Sequence, residues 1–138
     1  MDSFVLDCSV ALAWCFADES NAHAEAILDN LPEAQGLAPA IWPLEMANAL
    51  LAAERRNRIA QAEAMQFLSL VRSLPIGVDT DVSEGAVDRA MFLARSENLS
   101  SYDASYLELA IRAGVPIATL DSGLAAAAKR LGVSLVIR

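Results

Sequence analysis

Histidine and lysine are almost missing from this chain: His23 and Lys129 are the only examples of each. A triad that needs a histidine base, or a zinc site that needs imidazole ligands, has next to nothing to draw on. Cysteine is as sparse. Cys8 and Cys15 are the only two, and no Cys-x-x-Cys pair exists. They sit seven apart in what reads as one helix, roughly 10 Å along its axis, beyond the reach of a disulfide. Both are expected to be reduced, which points to a cytoplasmic compartment. Long apolar runs are lacking too. The opening stretch from Phe4 to Ala17 is interrupted by Asp7, is too short to span a bilayer and follows no basic residue, so neither a signal peptide nor a membrane segment is expected.

Positive charge is scarce as well. The chain has 10 Lys and Arg against 18 Asp and Glu, a formal net charge of −8, which opposes nonspecific attraction to nucleic-acid phosphates. That opposition is conditional. If several acids form a metal site, bound divalent cations cancel part of the charge, and Arg55, Arg56 and Arg58 make a local basic cluster that reads first as a solvated helix end. What the chain has in quantity is apolar side chain. At 55% hydrophobic and 20% charged, it suits a soluble α/β protein and excludes a disordered one. Its 138 residues are read as one domain, 1–138, long enough to bury most of the surface an unfolded chain exposes.

Short apolar strands are expected at Ser3–Leu6, Gly36–Ala40, Ile76–Val78, Val115–Thr119 and Val133–Ile137. Between them run amphipathic helical patterns. The first leads from Asp7 to Phe16, the second from Ser20 to Leu31 before Pro32, and the third from Pro43, suited to a helix's first position, to Arg56. Ala60–Arg72 follows, with Ala64, Phe67, Leu68 and Val71 on one face. Asp81 and Ser83 open a helix through Glu97, whose expected buried side carries Val87, Ala90, Met91 and Ala94. A further helix runs to Ala113, capped by Ser100 or Ser101, stopped by Gly114, and apolar at Leu107, Ala110 and Ile111. The last covers Ser122–Leu131 and ends at Gly132. Strands separated by helices imply parallel pairing with right-handed crossovers. The expected architecture is α/β: a three-layer α/β/α sandwich around a central, mainly parallel sheet of about five strands.

In such sheets, sites form outside the carboxyl ends of the strands, where helix N-termini also gather. Asp7 and Asp121 follow strands, while Glu45 and Asp103 occupy first turns of helices. The stretch from Leu99 to Leu124 shows why they should converge: about twelve helical residues run back roughly 18 Å and five strand residues forward about 17 Å. Each acid alone has an ordinary explanation as a helix cap. Together they are harder to dismiss. At about 5 Å and an effective dielectric near 20, each pair of carboxylates repels by roughly 3 kcal/mol, so a cluster needs protons or cations. With no histidine or lysine nearby in sequence, divalent cations are the better answer, and hard oxygen ligands favour Mg2+ or Mn2+ over zinc.

Around these acids, Ser9 either orients Asp7 or caps a helix, and Asn48, one turn after Glu45, either bonds the site or packs. Thr119 reads as a strand residue whose hydroxyl can support Asp121. Trp14 and Trp42 read as core. Asp18, Glu19, Asp79 and Asp81 read as solvated loop or cap residues.

The segments FVLDCSVALAWCF, PLEMANAL, LSSYDASYLELA and IATLD, in this order and at this spacing across nearly the whole chain, together resemble the PIN domain, most closely VapC-type toxins of bacterial toxin–antitoxin pairs. The resemblance implies a metal-dependent endoribonuclease using Mg2+, with Mn2+ as an alternative. It makes Asp7 and Asp103 the principal metal ligands, with Glu45 and Asp121 completing the acidic pocket and Ser9, Asn48 and Thr119 in support. It further implies hydrolysis of RNA leaving a 5′-phosphate and a 3′-hydroxyl, a homodimer, and a cognate antitoxin whose peptide covers the site. Some relatives carry another acid just after the last motif. Ser122, Gly123 and Leu124 stand there instead, which bears on a second metal position.

Two other classes compete. A phosphatase-like fold with an aspartyl nucleophile needs a second Asp two positions after the first, where this chain has Ser9. A phospho-receiver needs a lysine after a later strand, and Lys129 lies well inside a helix. The non-enzymatic alternative is a PIN-like interaction module whose acids bind a partner without cleaving it.

Overall fold

The computed structural model describes residues 2–19 and 21–136. Parallel strands β1 (Asp2–Leu6), β2 (Ala34–Ala38), β3 (Ile76–Val78) and β4 (Ile117–Ala118) form one sheet in the order β3-β2-β1-β4. The first strand therefore lies inside the sheet, with Val5 opposite both Leu37 and Ile117. Among the described residues, seven α-helices connect and cover these strands: α1 (Cys8–Cys15), α2 (Ala22–Asn30), α3 (Trp42–Arg55), α4 (Gln61–Arg72), α5 (Glu84–Glu97), α6 (Ser101–Ala113) and α7 (Ser122–Arg130). The layered α/β architecture expected from the alternation of patterns is present.

The helix ends follow local chemistry. Asn21, Ser83 and Ser100 accept hydrogen bonds from the backbone N–H three residues on, capping α2, α5 and α6. Gly114 ends α6 at φ +68°, a left-handed conformation that glycine adopts without a Cβ clash. Pro43 takes the second position of α3 rather than the first, because Trp42 already donates to the Pro39 carbonyl.

Three expectations are corrected. The sheet has four strands, not five: the last segment makes only a single bridge, Leu135 with Ile117, secured by Ile117 N–H to Ser134 O and Val136 N–H to Ile117 O. Two paired residues suffice for β4, so Thr119 lies beyond the strand that was expected to include it. The apolar side of α5 is also turned. Ala86, Ala90 and Leu93 are buried, whereas Val87 and Met91 are exposed, as is Ile111 on α6. Small residues at the contact let α5 and α6 approach closely, and that closeness decides which stripe is covered. Ser20, the expected start of α2, and Ile137, the expected end of the last strand, lie outside the described residues.

The core is formed by Val5 and Leu6 of β1, by the inward side of α1, and by α6, where Ala104, Tyr106, Leu107, Glu108, Leu109 and Ala110 are all buried. Trp42 is core, as expected, and Trp14 is partly covered and donates to the Ala24 carbonyl. Both cysteines are free. Burial in apolar surroundings beside Glu45 and Asp7 pushes the Cys8 thiol well above its ordinary range, which makes it unreactive. Glu108 is buried with its charge satisfied: it accepts from Arg89 and twice from Arg112, which reaches on to Asp79 at 2.6 Å. Asp79 is thus a tie between α6 and the loop after β3, not a solvated loop residue. Arg58 is likewise engaged, paired with Asp18 and Glu19 and lying 4.3 Å over the Phe16 ring, while Arg55 and Arg56 stay exposed.

The rotation of α5 sets up a simple contrast. Leu93→Ala is expected to cost about 2–4 kcal/mol by opening a cavity against α6, and Val87→Ala less than about 0.5 kcal/mol. Urea unfolding of both variants measures the difference, and equal costs would contradict this packing.

Candidate active site

β1 ends at Leu6, and the backbone N–H of Asp7 donates to Ala118 O at 3.0 Å, extending the ladder by one residue past the strand. Asp7 is thereby fixed between β1 and β4, at the carboxyl edge of the sheet, with only 6% of its surface exposed. It stands at the N-cap of α1 but makes no capping bond with its side chain. Instead, its Oδ2 accepts two hydrogen bonds, from Ser9 Oγ and from Thr119 Oγ1, both at 2.7 Å.

These two hydroxyls each do a second thing. Ser9 Oγ accepts from Leu120 N–H and Thr119 Oγ1 from Asp121 N–H, each at 3.0 Å. The loop that carries Asp121 is therefore laced to Asp7 through a pair of hydroxyl bridges. Both readings held open for Ser9 are thus decided in favour of orienting the carboxylate, and Thr119 supports Asp7 with its hydrogen as well as Asp121 with its oxygen. Asp121 caps α7, accepting from Leu124 N–H at 3.0 Å.

Glu45 and Asp103 arrive on the first turns of α3 and α6. The cap of α6 is Ser100, whose Oγ accepts from Asp103 N–H, so the Asp103 carboxylate is not consumed in capping. Of the four acids, then, only Asp121 is accounted for as a helix cap. Glu45 is held by a residue that sequence reasoning passed over: the hydroxyl of Tyr106, a fully buried side chain one turn beyond Asp103, donates to Glu45 Oε1 at 2.5 Å. Its spacing of three from Asp103 was visible, but the partner is 61 residues distant and only the fold reveals it. Asn48 is exposed and makes no side-chain hydrogen bond among the described residues, so the structure does not bring it into this network.

The electrostatics tie the acids into one group. Burial raises the pKa of Asp7 and the Asp121 charge adds to the rise, against the lowering effect of Ser9 and Thr119. Burial also raises Glu45, with Asp7 and Asp103 contributing, while Tyr106 opposes. Asp103 is raised by burial and then by Asp121 and Asp7. Asp7, Glu45 and Asp103 are each raised first by burial and then by the charge of at least one other of the four acids. Among the described residues no group of three or more Asp, Glu, His or Cys side chains is close enough to hold a metal as it stands. The donor set nevertheless fits a hard divalent cation in kind: carboxylates only, mutually repelling, with no thiolate or imidazole. An open arrangement also suits Mg2+, which retains water ligands.

The sequence matches the PIN domain over residues 4–130. The chain belongs to the PIN domain family. No curated protein sequence matches it at a significant level. Among solved structures it is similar to a protein from Pyrobaculum aerophilum, with 26% identity, coverage of 91% of this chain and 86% of that one, and a TM-score of 0.69. It is also similar to the VapBC2 complex from Rickettsia felis, crystallised with a DNA fragment from its promoter, at 12% identity, coverage of 97% of each chain and a TM-score of 0.69. A third is VapC20 of Mycobacterium tuberculosis, a toxin that cleaves the sarcin–ricin loop, at 18% identity, 90% and 94% coverage and a TM-score of 0.65. The four acids of this PIN domain lie within the matched span.

The raised pKa values set the sign of a pH effect. A carboxylate whose folded pKa is raised favours folding below its ordinary pKa, and that contribution disappears as pH rises through the folded value. Glu108 and Asp81, lowered by Arg112 and by the Ser83 N–H respectively, act oppositely, and only as pH falls below the ordinary carboxylate range. In chelator, thermal unfolding should therefore show stability falling as pH rises from the ordinary carboxylate range, about pH 4, toward neutrality. Asp7→Asn should flatten that slope, and millimolar Mg2+ should reverse it at neutral pH; a stability that rises with pH in chelator would refute the raised carboxylate pKa values.

Proposed function

We propose that this PIN domain is a divalent-metal-dependent endoribonuclease acting as the toxin of a type II toxin–antitoxin pair. The observation that carries the reading is the convergence of Asp7, Glu45, Asp103 and Asp121, on four different elements, at one edge of the sheet. Family membership supports the nuclease chemistry, and the similarity to VapC20 and VapBC2 supports the toxin role. Mg2+, or Mn2+ in its place, would be held principally by Asp7 and Asp103 with Glu45 and Asp121 completing the set, and would supply Lewis acidity and charge neutralisation at a phosphodiester.

The protein's own part is positional. Ser9 and Thr119 hold Asp7 in one orientation and couple it to the Asp121 loop, so the two sides of the pocket move as a unit. The N-termini of α1, α3, α6 and α7 meet at the same edge, and their free N–H groups and dipoles favour an approaching phosphate. This helps an acidic chain take an anionic substrate. RNA is the substrate class, an antitoxin the regulatory partner, and the cytoplasm the compartment. No helix among the described residues is long and apolar enough to cross a membrane. A homodimer is part of the reading: Phe92 on α5, 68% exposed, and Ile111 on α6 line one largely apolar cleft of the kind that a second copy covers.

The decisive experiment is cleavage of a mixed pool of structured RNAs by antitoxin-free protein, with Mg2+, with Mn2+ and with excess chelator. Cutting should require metal, and Asp7→Asn or Asp103→Asn should reduce it by at least about a hundredfold without unfolding the protein. Glu45→Gln and Asp121→Asn should lower it less. Metal-dependent cutting undiminished in Asp7→Asn would remove the site assignment, and a folded protein that binds RNA but never cuts would favour the interaction-module alternative. Phe92→Glu should convert a dimer to a monomer in light scattering, and a wild-type chain already monomeric would refute the dimer.

A further inference from the structure

Among the described residues, Tyr106 is the one fully buried side chain whose polar atom is spent on an acid of the site. It lies in the core of α6, with Ala104, Leu107 and Ala110 around it on the same helix equally buried, and its ring needs no hydroxyl to fill that space. The hydroxyl reaches across to α3 and gives its hydrogen to Glu45 Oε1. It is the only side-chain hydrogen bond that Glu45 makes among the described residues, and Oε2 has no protein partner. Asp7 is held by two hydroxyls and Asp121 by its role as a cap, so each of these acids has its own anchor. Without Tyr106, Glu45 would be a half-buried carboxylate on the first turn of α3 with free rotation about its side-chain bonds.

We propose that Tyr106 is a positioning residue of the metal-dependent centre: through its hydrogen bond it fixes Glu45 in the rotamer that offers Oε2 to the cation. The inference rests on the nuclease reading above. Phenolic donors suit this task, since a tyrosine held by packing has few rotamers to lose and its O–H aims along a fixed line. Second-layer partners of ligating carboxylates commonly govern affinity in the same way. The alternative is that Tyr106 is a core residue whose hydroxyl merely finds an acceptor. Geometry weighs against it: the acceptor is one of the four converging acids rather than a backbone carbonyl, and it belongs to a different element.

Tyr106→Phe removes one oxygen and leaves the ring. Direct Mn2+ binding, read from the electron paramagnetic resonance signal of the free ion, is expected to weaken about tenfold in this variant. In a Glu45→Gln background the same change should have no further effect, because the hydroxyl acts through the Glu45 charge. A merely structural role would lower stability in both backgrounds and leave this pattern absent. Unchanged Mn2+ affinity in Tyr106→Phe, or a loss that simply adds to that of Glu45→Gln, would overturn the proposal. Should Tyr106→Phe not fold, a second measurement decides. Tyr102 is the only other tyrosine, so Tyr102→Phe protein labelled with 13C at tyrosine Cζ gives one resonance, from Tyr106. That resonance should shift as Mg2+ saturates the site, and a resonance indifferent to Mg2+ would overturn the assignment. Wild-type protein that binds no Mn2+ at all would bring down the metal-dependent reading as well; wild-type binding with an unaltered variant would bring down the role of Tyr106 alone.

Discussion

A carboxylate buried at the end of an interior strand is the constraint on which the rest of this structure depends. Asp7 is 6% exposed, lies inside a sheet whose neighbours on both sides are parallel strands, and has no cationic side chain among its hydrogen-bond partners. A buried charge without a counter-charge is costly, and burial accordingly raises its pKa. Two hydroxyl donors soften that cost without cancelling the negative charge, so the local field remains negative. The other three acids are drawn into the same field from α3, α6 and α7. The fold thus concentrates mutually repelling negative charge at one edge.

The opposite arrangement occurs a short distance along α6. Glu108 is as buried as Asp7, yet two arginines surround it and its pKa is lowered. One helix therefore carries, within six positions, an acid pushed up by burial and then by repulsion, and an acid pulled down by pairing. Asp103 and Glu108 differ in which face of α6 they occupy and in what the neighbouring elements bring: acids from β1, α3 and α7 on one side, arginines from α5 and from α6 itself on the other. Residue type does not tell a structural carboxylate from a functional one, but its company does.

That distinction explains what the sequence discloses. Helix ends were readable because they depend on neighbours in the chain: Ser83, Ser100 and Gly114 act on backbone groups within a few residues. The parallel sheet was readable from alternation, and the convergence of the four acids from the direction that alternation imposes. The stripe of α5 was not, since Val87 and Met91 fit a helical period as well as Ala86 and Leu93, and only close packing on α6 decides between them. Tyr106 was hidden for the same reason, its acceptor lying 61 residues earlier on another helix. The fifth strand was overcounted because β-propensity at Val133–Ile137 says nothing about how much partner edge remains, and β4 offers two residues.

The interior place of β1 has a consequence in time. On the ribosome, β1 cannot complete its pairing until Ile117 and Ala118, far later in the sequence, have been synthesised. The Thr119 hydroxyl that steadies Asp7 is 112 residues away, and Asp121 comes later still. A nascent chain can shelter α1 and β2 against β1 early, but Asp7 and Asp121 cannot come together until Asp121 has been made. The topology thus ties the final setting of Asp7 to the late arrival of β4 and Thr119.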